Sequence, residues 1–187
     1  NSEAQTKMGN ALNLLMNGNV FLYYGEELGM KGSGKDENKR APMYWSKDKN
    51  AAGMCKGPAD MEDFQMKFDS LEEQQEDPDS IYNYVKQVIR VRNQNPVIAR
   101  GTTAYLEQYS GEQCFALTRS YEGSNLLLLG NTSAEAVSVD LTGLTVGGTT
   151  AEELVLLGEL YTGEETAERA GTVVTLPAYS ILILGEE

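Results

Sequence analysis

The chain has 187 residues, 15 Lys+Arg against 28 Asp+Glu, no histidine and a formal net charge of -13. That balance repels nucleic acid and anionic membrane surfaces, keeps the protein soluble, and leaves a neutral partner such as a sugar unaffected. Without histidine a Ser/His/Asp triad, a Cys/His dyad and most zinc sites are excluded, and Cys55 and Cys114 are too far apart for a C-x-x-C pattern, so they either pair or stay free.

The length suffices for one large domain or two modest ones with an unstapled core. No apolar run reaches membrane-spanning length and no basic-then-apolar leader opens the chain. The first residue is Asn1 rather than Met, so the natural N-terminus is expected upstream, and localisation stays open between extracellular and cytoplasmic.

Ser2 and Gln5 have the spacing of a capping box, which predicts a helix from the start of the chain. Ala4, Met8, Ala11, Leu12 and Leu15 give it one apolar stripe, and Asn17 and Gly18 are placed to stop it. Val20 to Tyr24 is a short run with almost no polar residue that ends at Gly25, and it reads as a buried parallel strand. A parallel strand cannot pair with itself. The remaining strands of its sheet are therefore expected upstream of Asn1 or in another chain.

From Gly25 to about Asp77 the sequence is rich in Gly, Asn, Asp and Lys, with Ala59 to Phe68 able to form one or two helical turns. A long polar loop at the C-terminal end of a parallel strand is where α/β folds bind ligands. It is the one candidate site. Glu26 and Glu27 could form an acid/base pair, but neighbouring carboxylates commonly diverge, and the plainer reading gives one a structural ion pair and the other to solvent. Arg40 precedes Ala41-Pro42, a restricted backbone that can aim its guanidinium at a sugar hydroxyl or a carboxylate. Trp45, the single tryptophan, reads first as a core plug and alternatively as a sugar-stacking face. KGSGK lacks the spacing of a phosphate loop and opens no periodic helix.

Asp77, Pro78 and Asp79 predict a helix start with Asp77 as N-cap; Ile81, Tyr84, Val85, Val88 and Val91 form its apolar face, and Asn95-Pro96 ends it. Beyond Gly101 the periodicity becomes strand-like. The runs 102–106, 113–120, 126–131, 137–141, 154–161, 172–176 and 180–184 alternate with turn clusters such as YEGSN and TVGGTT. They predict an antiparallel sandwich of about 85 residues.

The strand ending in YYGEELGM, the loop with RAPMYW, the segment LEEQQEDPDSIYNYVKQVIRVRNQNPVI and the tail LPAYSILIL together resemble the C-terminal part of the α-amylase superfamily of glycoside hydrolases, almost end to end. The resemblance implies an α/β fragment over residues 1–98, the last helix-strand-helix of a (β/α)8 catalytic barrel, followed over 99–187 by an all-β antiparallel sandwich, domain C. Val20 stands where the family's late motif usually has proline.

RAPMYW resembles the family's RTPMQW-type segment in a loop that lines the substrate cleft. It thereby makes Arg40 the leading substrate-side residue, with Lys39 and Trp45 beside it and Tyr24, Gly25 and Glu27 as supports. Such enzymes cleave or transfer α-glucosidic bonds with retention, using an aspartate nucleophile, a glutamate acid/base and a third, stabilising aspartate. None of the three maps onto this chain; they are expected upstream of Asn1, and Glu26 and Glu27 do not replace them.

The implied partner is an α-glucan or maltooligosaccharide, with no cofactor in this chain and calcium left to parts of the enzyme outside it. The alternative is a non-catalytic carbohydrate-binding or structural module, for which the scattered tyrosines Tyr105, Tyr109, Tyr121, Tyr161 and Tyr179 make a poor stacking platform. Bared apolar flanks at Val20 to Tyr24, Ala4 to Leu15 and Ile81 to Val91 would drive self-association through an exposed barrel edge.

Overall fold

The computed structural model describes residues 2–186. Helix α1 (Glu3–Leu14) starts with the expected capping box: Ser2 Oγ accepts the Gln5 N–H at 3.1 Å while Gln5 Oε1 accepts the Ser2 N–H at 2.8 Å. It ends at Leu14 with Leu15 as its cap, and Gly18 takes the left-handed conformation a few residues later, at φ 78°.

Val20 to Tyr24 forms no strand. A parallel strand draws every ladder bond from its neighbours, and the described residues supply none here. The Phe21 carbonyl instead accepts from the Asn13 amide at 2.9 Å. The segment is left open to solvent, Phe21 at 85% and Tyr23 at 58% exposure.

The long loop that follows contains two 3-10 turns, Glu26–Leu28 and Asn38–Arg40. The helical turns expected within Ala59 to Phe68 do not form. Asp60 sits at φ 68°, which a right-handed helix does not accommodate. A capping box further on, between Ser70 and Glu73, starts α2 (Leu71–Glu76).

Asp77 caps the end of α2 rather than the start of the next helix. Its Oδ1 accepts the Asp79 N–H at 2.9 Å, and this turn delivers Ser80 as the N-cap of α3 (Ile81–Gln94), where Ser80 Oγ accepts the Asn83 N–H at 3.2 Å. Asn95-Pro96 breaks the helix as anticipated, and Pro96 opens the short α4 (Pro96–Arg100).

The described residues of the β region form ten strands: β1 (Thr102–Tyr105), β2 (Cys114–Tyr121), β3 (Ser124–Asn131), β4 (Val137–Asp140), β5 (Thr145–Val146), β6 (Thr149–Thr150), β7 (Val155–Tyr161), β8 (Glu168–Ala170), β9 (Val173–Leu176) and β10 (Ser180–Gly185). All seven expected runs are strands. The short β5, β6 and β8 carry too little apolar pattern to be read from sequence. Antiparallel pairing gives a five-stranded sheet in the order β1-β2-β3-β10-β7, a three-stranded sheet β4-β9-β8 and the hairpin β5-β6.

The five-stranded sheet is a middle layer, and the side-chain period of two shows it. On β3 and β10, Leu126, Leu128, Ile181 and Ile183 pack with the helices. Leu127, Leu129, Leu182 and Leu184 pack with Val139, Val174 and Leu176 of the three-stranded sheet. Burial on both faces explains why LLLL and ILIL read as continuous apolar runs rather than alternating ones. The helix faces expected to be bare are covered: Met8, Ala11, Leu14, Ile81, Val85 and Val88 are buried in the shared core. The exposed apolar stretch is confined there to Phe21 to Tyr24 and its neighbours Leu12 and Met16.

Candidate functional site

The loop after Tyr24 is shaped first by a turn. Gly25 and Gly29 flank the Glu26–Leu28 turn at φ 88° and 64°, where a side chain would be strained. A Cβ at Gly25 would in addition meet Met30 Sδ at 2.5 Å, and one at Gly29 would meet Phe68 at 2.7 Å. Both expected carboxylates serve this turn. Glu27 Oε2 accepts the Gly25 N–H at 2.8 Å and Glu26 Oε2 accepts the Tyr23 N–H at 3.2 Å. Neither forms an ion pair among the described residues, which replaces the expected division into one paired and one solvated carboxylate.

Tyr24 then ties the turn to the RAPMYW segment, its hydroxyl donating to the Ala41 carbonyl at 3.0 Å while its ring lies 4.7 Å from that of Tyr23. Desolvation, with Tyr23 as neighbour, raises the Tyr24 pKa.

Asn38 organises the loop beyond. It is 2% exposed, its Nδ2 donates to the Ser33 carbonyl and to Glu62 Oε2, both at 2.8 Å, and its Oδ1 accepts the Glu62 N–H at 3.0 Å. The bond from Asn38, followed by the Lys35 charge 3.6 Å away, lowers the Glu62 pKa. Gln74 fastens the turn to the helices by donating to the Leu28 carbonyl at 3.0 Å and accepting the Tyr82 N–H at 3.1 Å. Neither Asn38 nor Gln74 stood out in the sequence, because their partners lie 5 to 46 residues away along the chain and no local pattern marks them.

Arg40 ends the second 3-10 turn with its side chain exposed. Its Nε donates to the Asp36 carbonyl at 3.3 Å and its Nη2 lies 3.5 Å from Glu37 Oε1. Ala41, before Pro42, has φ -55° and ψ 143°, the conformation a pre-proline residue favours. Lys39 Nζ bonds Asp36 Oδ1 at 2.9 Å, and this bond and charge lower the Asp36 pKa. Trp45 is 44% exposed, which corrects the core-plug reading.

A pocket of about 180 Å³ opens between Tyr23, Tyr24, Gly25, Lys31, Lys39 and Ala41. Tyr24, Gly25 and Lys39 are thus brought together at its wall. Arg40, Trp45 and Glu27 lie outside its lining, on the same loop. A larger groove of about 730 Å³ runs on the other side of the turn between the polar face of α1 (Gln5, Asn10, Asn13) and Phe21 and Phe68. The loop offers phenol, ammonium and guanidinium donors beside exposed aromatic faces, groups suited to recognising a neutral polyhydroxylated molecule. Its two neighbouring glutamates are committed to backbone N–H groups.

Elsewhere, Cys55 and Cys114 are free thiols, and among the described residues no group of three or more His, Cys, Asp or Glu is placed to hold a metal ion. No described helix is long and apolar enough to cross a membrane.

Residues 1–101 match the family model for the α-amylase catalytic domain. Over its full length the chain is similar to the solved structure of Eubacterium rectale Amy13B, with 44% identity and a TM-score of 0.92, covering 35% of that chain. It is similar over 100% of its length to an α-amylase from H. orenii, with 26% identity, a TM-score of 0.74 and 36% of that chain covered. A trehalose synthase from Thermus thermophilus is 28% identical over 142 residues, 70% of this chain and 15% of that protein. The chain therefore spans well under half the length of the relatives it matches.

Proposed function

Because the chain belongs to the α-amylase family of glycoside hydrolases, we propose that it acts as the C-terminal portion of a retaining, α-glucan-acting enzyme of the α-amylase or α-glucosidase type. In this reading residues 1–98 complete a (β/α)8 barrel and 99–187 form domain C. The loop supplies one wall of the substrate cleft, with Arg40 foremost and Lys39 and Trp45 beside it. Tyr24, Gly25 and Glu27 hold the wall in shape, and the catalytic carboxylates belong to parts of the enzyme outside this chain. The observation that carries this reading is the solvent-facing group Tyr23, Tyr24, Lys39, Arg40 and Trp45 on one braced loop, where among the described residues the one other exposed tyrosine, Tyr105, lies apart on β1.

Titrating maltoheptaose against the Trp45 fluorescence of the 187-residue chain tests the wall. Quenching that weakens about tenfold in Arg40→Ala, the effect of losing one charge-assisted hydrogen bond, supports it, and quenching unchanged by that substitution overturns it. A starch hydrolysis assay on the same chain tests the rest, since turnover at an enzyme-like rate would contradict carboxylates located elsewhere. The open segment Phe21 to Tyr24 also leads the isolated chain to self-associate; light scattering that shows a monomer at all concentrations would count against this.

A further inference from the structure

The loop that bears Arg40 is braced in an unusual way, by thioethers. Met30 Sδ fills the space in front of Gly25, 2.5 Å from where a Cβ would stand. Met61 does the same at Gly57, with Sδ 2.5 Å and Cε 2.7 Å from the corresponding point. Met66 Sδ accepts the Lys31 N–H at 3.4 Å. All three residues are half-buried. The chain has seven methionines, and the remaining ones include the buried Met8, 4% exposed in the core, and Met16, 55% exposed at the end of α1.

We propose that Met30, Met61 and Met66 make this loop a peroxide-sensitive element whose oxidation releases it. Each thioether sulfur takes one oxygen atom from a hydroperoxide; sulfur is oxidised by two electrons to the sulfoxide, and hydrogen peroxide is reduced to water. The product is polar and carries an added oxygen, so it suits neither a close apolar contact with a glycine backbone nor the original N–H···S geometry. At Met30 the glycine side has no room, and at Met66 oxidation consumes a lone pair of the sulfur on which the Lys31 N–H rests. Loss of these contacts frees the Gly25 turn and the 57–68 return, between which the Asn38 to Ala41 segment is held. The consequence for glucan recognition rests on the cleft-wall reading above; the release itself does not.

The test is hydrogen exchange with peptide-resolved mass spectrometry on the full 187-residue chain carrying Cys55→Ser, before and after mild hydrogen peroxide. Sulfoxide at Met30, Met61 and Met66, with amide exchange across 25–41 and 57–68 accelerated about tenfold and restored by methionine sulfoxide reductases, is the expected result. Met16 oxidises without effect on those peptides and Met8 stays protected. A variant with Met30→Leu, Met61→Leu and Met66→Leu should lose the response, and the single variants serve if the triple one does not fold. Sulfoxides at all three positions with unchanged exchange, or the same acceleration in the leucine variants, would overturn the proposal. Accelerated exchange with unaltered maltoheptaose quenching would leave it standing and count against the cleft-wall reading instead.

Discussion

The Glu27 carboxylate accepts the Gly25 N–H at 2.8 Å, two residues back along the chain. A side chain that looks like half of a catalytic pair is thereby the staple of a turn whose glycine is buried and left-handed. Glu27→Gln keeps an acceptor in reach and is expected to cost less than about 1 kcal/mol. Glu27→Ala leaves a buried N–H unpaired and is expected to cost about 1 to 3 kcal/mol. Urea denaturation of the two variants separates these outcomes, and equal losses would remove the staple role.

Arg92 joins the helices to the loop's entry. Its Nη1 donates to the carbonyls of Leu14 at 2.7 Å and Met16 at 2.5 Å, and its Nη2 to that of Gly18 at 2.6 Å, so one guanidinium gathers carbonyls left unpaired where α1 ends. Arg92→Met should cost about 3 kcal/mol, the upper end for one charged hydrogen bond, and lower the melting temperature by roughly 6 to 12 °C for a chain of this size. Calorimetry measures it.

The shared core predicts cooperative unfolding. Val88 of α3 and Ile183 of β10 belong to the same buried cluster, so Ile183→Ala is expected to cost about 2 to 5 kcal/mol and to destabilise the helices together with the sheet. Amide exchange of peptides from α3 and from β10, followed across a urea series, should then trace one transition in the wild type and in the variant. Two separated transitions would show that the helical and β regions unfold independently.

Lys47 lies 2.5 Å from Glu73 and 2.9 Å from Asp69, and the Glu73 pKa is lowered, first by its bond from Lys47, against desolvation, and further by the Ser70 cap. A carboxylate with a depressed folded pKa contributes stability that is complete above its unfolded value and is lost as pH falls through the folded value. The urea midpoint of Lys47→Met should therefore lie below that of the wild type at neutral pH and converge on it as pH drops below the ordinary glutamate range. A difference independent of pH would assign the effect to packing of the Lys47 stem.

Local patterns in the sequence determined a great deal here. The Ser2/Gln5 box, the apolar face from Ile81 to Val91, the break at Asn95-Pro96 and seven β runs all depend on neighbours a few residues apart, and each forms in the structure. The residues YYGEELGM and RAPMYW carried the family as well. Tertiary structure decided what depends on distant partners. Val20 to Tyr24 has the composition of a parallel strand, yet its ladder bonds must come from other strands, and without them it stays unpaired. Asp77 lost the helix N-cap to Ser80 because the turn made by its own carboxylate passes the chain to the serine. Asn38, Gln74 and Arg92 looked like ordinary polar residues, since a side chain's hydrogen bond to a backbone group 5 to 78 residues away leaves no periodic trace. Glu26 and Glu27 looked chemically equipped, and the fold committed both to backbone N–H groups.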